Sequence, residues 1–157
     1  MSKKLQAIFN FLIIFFISTS LSKAELINPR SDIKPSELVK IQLLELQKND
    51  KDFKDSGIEQ TWNFAHPNNK KNTGPFPKFK TMIKGNSYKM LLNHLSHTIT
   101  KLGSGDIWAQ FEVVILDKDK IYHKFNWQVE KYKKNGPLKG CWLTTAVSQP
   151  IAMGSSI

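Results

Sequence analysis

The chain has 157 residues, enough for one domain with one core. Its 23 basic residues outnumber 13 acidic ones for a net charge of +10, yet Arg30 is the only arginine, so the surface lacks the flat guanidinium forks that read phosphate and guanine; this argues against nucleic acid and leaves weak attraction to anionic surfaces. A single cysteine, Cys141, excludes an internal disulfide and the paired-cysteine patterns of haem attachment and zinc ribbons.

Residues 1–24 have the layout of a secretory signal peptide. Lys3 and Lys4 give a positive start, residues 5–17 are apolar, and Ser22-Lys23-Ala24 supplies small residues before a cut after Ala24. The apolar run falls short of the ~20 residues of a spanning helix, and Asn10 interrupts it. The expectation is an exported protein, periplasmic or secreted in a bacterium, with no stable membrane insertion after cleavage. Residues 25–34 are polar and aperiodic and read as a flexible leader.

A first helix is expected over residues 35–50, with Ser36 as N-cap, Glu37 in the first turn and an apolar face of Leu38, Val39, Ile41, Leu43, Leu44 and Leu46. Residues 58–65 read as a shorter helix with Ile58, Trp62 and Ala65 on one side, ended by His66-Pro67. Residues 68–74 read as a polar loop. A third helix follows Pro75, with Phe76, Phe79, Met82 and Ile83 at helical spacing and Gly85 as its stop.

From Tyr88 the period falls to two. Strands are expected over residues 91–102, 107–116, 121–132 and 141–147, with a tight connection at 117–120 and a turn at 133–140. Residues 148–157 read as a loose tail. Helices segregated from strands predict α+β: three N-terminal helices packed on a curved, cone-like antiparallel sheet of about four strands, in a single domain over residues 35–147.

Five segments in order carry a family resemblance: Pro35 to Asp50; Gly57-Ile-Glu-Gln-Thr-Trp-Asn-Phe-Ala-His-Pro-Asn-Asn69; Thr73-Gly74-Pro75 with Phe79; Met90-Leu-Leu-Asn-His94; and Gly140-Cys-Trp-Leu-Thr144. Together they resemble the domain-of-unknown-function family 4864, within the nuclear-transport-factor-two-like superfamily. The resemblance implies the cone fold and names no activity.

Cones of this type often hold a ligand between sheet and helices. Strand parity puts His97 with Leu95 and Ile99, and His123 with Ile121, Phe125 and Trp127, so both histidines share the apolar side. Either is a candidate general base, and core histidines with their own partners are the alternative. Asn93 and His94, where the chain feeds the sheet, and Trp127 and Trp142, as flat apolar surfaces, are candidates for ligand binding. His66, His94, His97 and His123 match no zinc spacing, so no metal is expected; no phosphate loop or nucleophile elbow occurs, and no cofactor is expected. Cys141, among apolar residues, reads as an inert small hydrophobe. The leading expectation is an exported domain binding a small apolar ligand or a protein partner through the concave face of its sheet. The alternative is a small isomerase, dehydratase or hydrolase using His97 or His123.

Overall fold

The computed structural model describes residues 25–155; residues 1–24, expected to be a signal peptide, lie outside the described residues. Helix α1 spans Pro35–Gln47 and buries Leu38, Val39, Leu43 and Leu46 of the expected face, while Ile41 is half-buried and Leu44 is exposed. Pro35 sits in its first turn and Lys34 takes the N-cap position, so Ser36 lies inside the helix. Helix α2, Ser56–Asn63, crosses α1 closely at Gly57. A Cβ there would collide with the Glu45 carbonyl, and the Gly57 amide donates to Asn49 O at 2.9 Å.

Among the described residues there are four α-helices rather than three. Residues expected as a loop form α3, Pro67–Thr73. Pro67 is preset for a first turn, and the ring of His66 caps it, Nδ1 accepting from the Asn68 amide at 3.1 Å. The helix buries no side chain fully, so it leaves no apolar period to read. Helix α4 follows at Phe76–Lys84, burying Phe79 and Ile83. Trp62 of α2 packs on the Phe76 and Phe79 rings, at centroid distances of 5.9 and 5.0 Å.

A single 3-10 turn, Lys89–Leu91, then leads into the sheet. The first strand begins later than its apolar residues suggest: β1 is Ser96–Ser104, because Asn93 takes a left-handed φ of 56° and turns the chain. Strands β2 (Trp108–Leu116), β3 (Ile121–Lys131) and β4 (Trp142–Val147) continue the antiparallel order β1-β2-β3-β4. Where a loose tail was expected, Ile151–Ser155 forms β5. It pairs with Ile121 to Lys124 of β3, while β4 pairs with Trp127 to Lys131, so the two share one edge of β3. All five β5 residues are exposed; backbone pairing rather than burial holds the strand, which hides it from an apolar pattern.

The residues expected to be a flexible leader are tied down as well. The Gln60 side chain bonds both Ile27 N and Ile27 O, at 2.7 and 2.8 Å, and Ile33 is buried in the core. The helices cover one face of the sheet. On that face Phe111 stands opposite Trp127, Val113 opposite Phe125 and Ile115 opposite His123; of these all but His123 join the buried residues of α1 and α4 in one core.

Candidate functional site

A cavity of about 80 Å³ lies between the helices and the inner face of the sheet. Leu46 of α1, Phe79, Met82 and Ile83 of α4, Leu91 and Val147 give it apolar walls. Asn69 and Thr73 of α3 line it as well; α3 is positioned by the segment before it, where the Thr144 amide donates to Phe64 O and the His66 amide to Thr144 O.

A small polar cluster lines the same space. Gln42 is buried on the apolar stripe of α1, and its Nε2 donates to Thr61 O at 3.0 Å. Its Oε1 accepts from the Thr144 hydroxyl at 2.6 Å and from the Trp127 indole N–H at 3.1 Å. Among the described residues no buried side-chain polar atom lacks a partner. The cavity is therefore an apolar space with one fully satisfied polar patch, the composition that small-ligand sites share. Tyr88 lines its edge, donating its hydroxyl to Val147 O at 3.2 Å, and burial pushes its phenol above the ordinary value.

The candidate residues separate into distinct places. Trp127 lines the cavity with its indole N–H bonded. Trp142 does not; it opens β4 half-buried, with the Lys131 ammonium 5.2 Å above its ring. His94 and His97 pair with each other. Nδ1–H of His94 donates to Leu91 O at 2.7 Å, so its Nε2 is the acceptor for Nδ1–H of His97, at 2.8 Å. Burial lowers the pKa of both rings; Lys40 adds to the effect at His97, and at His94 the Leu91 bond opposes it. His97 and His123 both stand opposite Ile115, one on each side, and each bonds a different partner.

His123 donates from Nε2 to Asp117 Oδ2 at 2.7 Å. Asp117 is buried, which works to raise its pKa, but the bonds from the Ile121 amide, His123 and the Asp119 amide together hold it below the ordinary carboxylate value. Asn93 lines the same cleft as this pair. Asp117 was read as part of a turn, and it is that too: Asp117 to Lys120 connects β2 to β3. Gln42 and Thr144 were not singled out. Gln42 carried a signal, a polar residue inside an apolar helical stripe, whereas its partnership with Thr144 spans 102 positions.

Cys141 is buried beside β4, and burial first, then Asp32, pushes its thiol up, away from a reactive thiolate. Among the described residues no cluster of three or more His, Cys, Asp or Glu is placed to hold a metal ion, and no helix is long and apolar enough to cross a membrane. No family model, curated protein or solved structure matches the chain.

Proposed function

We propose that the protein is an exported binding domain that takes a small, mainly apolar ligand into the cavity between its helices and its sheet. The cavity carries this reading: apolar walls around one satisfied polar patch favour an apolar group with a single polar atom. Its volume, about 80 Å³, is roughly half that of a ~150 Å³ cavity that takes benzene, so it suits the end of an alkyl chain or the edge of a ring. Export rests on the pattern of residues 1–24. Membership of the unknown-function family, and the cone-like sheet of its superfamily, belong to the same proposal; helices followed by an antiparallel sheet support it.

Titration with 1-hexanol, followed through the methyl resonances of Leu46, Ile83 and Val147, tests the reading. Saturable shifts confined to these walls are expected, and Val147→Phe should abolish them by filling the space. Unperturbed methyl groups, or equal binding by Val147→Phe, would overturn it.

One observation favours a second reading, an isomerase, dehydratase or hydrolase. A buried carboxylate orienting a histidine is the arrangement of a positioned general base, and His123 has it, whereas His97 leans on another imidazole.

A further inference from the structure

The cleft beside His123 shares no lining residue with the cavity, and Met90 and Leu92 line the cleft while Leu91 between them lines the cavity. The cleft measures about 380 Å³, within the roughly 300–1,000 Å³ of small-molecule sites. Asp117 is fully engaged in it: Oδ1 accepts the amides of Asp119 and Ile121, each at 2.9 Å, and Oδ2 accepts from His123. That bond fixes the ring and leaves Nδ1 of His123 with no protein partner among the described residues.

Three further charges line the cleft, on Lys89, Lys118 and Asp119. Two ammonium groups against the carboxylates of Asp117 and Asp119 balance when the His123 ring is neutral and leave a single positive charge when it is protonated. That balance suits a monoanion better than a dianion such as phosphate. A group meeting Nδ1 must serve whether or not the ring is protonated. A hydroxyl does, because it both donates and accepts. The side chains of Met90 and Leu92 give a short alkyl group an apolar wall.

We propose that this cleft binds a small hydroxy-acid monoanion, its carboxylate on Lys89 and Lys118 and its hydroxyl on Nδ1 of His123. The site differs in kind from the apolar cavity, and binding there stands whether or not proton transfer follows.

L-lactate and propionate are the probes, because they differ only by the hydroxyl. At low ionic strength, lactate should shift the His123 ring nitrogens and the amides of residues 117–119 saturably, with propionate at least tenfold weaker. Exchanging both lysines for glutamine, Lys89→Gln with Lys118→Gln, should remove the lactate response while leaving the remaining amide spectrum and the melting temperature unchanged. His123→Gln should remove the preference for lactate. Equal titration by the two acids, no response at His123 up to saturating lactate, or wild-type lactate binding by the lysine double variant would each overturn the proposal.

Discussion

Gln42 decides between two intuitions about a buried polar residue. Replacing it with leucine adds apolar area to the core, worth at most ~2–3 kcal/mol. It also takes the Gln42 donor from the Thr61 carbonyl and the acceptor from the Thr144 hydroxyl, at ~1–3 kcal/mol for each buried group left unmade, and leaves the Trp127 indole N–H only its longer bond to Thr144 Oγ1 at 3.3 Å. The second effect is larger, so Gln42→Leu should lower stability by about 1–4 kcal/mol, read as a reduced urea midpoint. An unchanged or higher midpoint would show that the polar trio is dispensable. Asp55 makes a comparable case for charge. Its carboxylate is nearly buried and takes the Lys84 ammonium at 2.7 Å, with Lys80 at 3.7 Å. The Lys84 bond, against the opposing effect of burial, holds its pKa below the ordinary value. A carboxylate lowered in the folded state binds protons less readily than in the unfolded chain. Its stabilisation is therefore present above the unfolded value of ~3.9 and is lost as pH falls through the folded one. His94 and His97 act earlier. Both are lowered by burial, so the unfolded chain takes up their protons first and stability begins to fall as pH drops through ~6.5. Urea unfolding across pH should show two acid-sensitive windows. The double variant His94→Gln with His97→Gln should reduce the upper one, to which His66, also lowered by burial, contributes, and Asp55→Asn should reduce the lower one, which Asp117 shares.

Packing of α1 on α2 depends on one missing side chain. At Gly57 the helices approach so closely that any Cβ would meet the Glu45 carbonyl, which is backbone and has little freedom to move. Gly57→Ala should therefore destabilise by ~1–3 kcal/mol, even though alanine is the better helix former by ~1 kcal/mol. A rise in melting temperature would mean that α1 and α2 sit farther apart. The elements also differ in how visible they are before folding. Strand β2 was legible because one face is buried and the other is not: Ala109, Phe111, Val113 and Ile115 alternate with half-exposed residues. Helix α3 and strand β5 bury no side chain, so neither imposes a hydrophobic period. Helix α3 is held by backbone bonds and the adjacent cap of His66, and β5 by pairing with β3, which lies elsewhere in the chain.

The arrangement of the whole molecule controls access to Cys141. The thiol lies beneath the start of β4, and its burial raises its pKa. Alkylation should therefore require opening of the domain. Its rate should rise with urea in step with unfolding; rapid labelling of the native protein would contradict the packing at the β4 edge. The mature N-terminus tests the other end of the chain, and mass spectrometry of protein from its own host should find it starting at Glu25.

Local patterns in the chain carried the α+β class, the stripe of α1 and the inward parity of Trp127 and His123, because helices and strands with one buried face repeat that burial every 3.6 or two residues. Partnerships were not written in any local pattern. His123 meets a carboxylate from its own turn, His97 meets His94 although strand parity grouped it with His123, and Gln42 meets Thr144 across most of the domain. A period states which way a side chain points, not what it finds there. The cavity and the cleft exist only where separate elements converge, so both were set by packing.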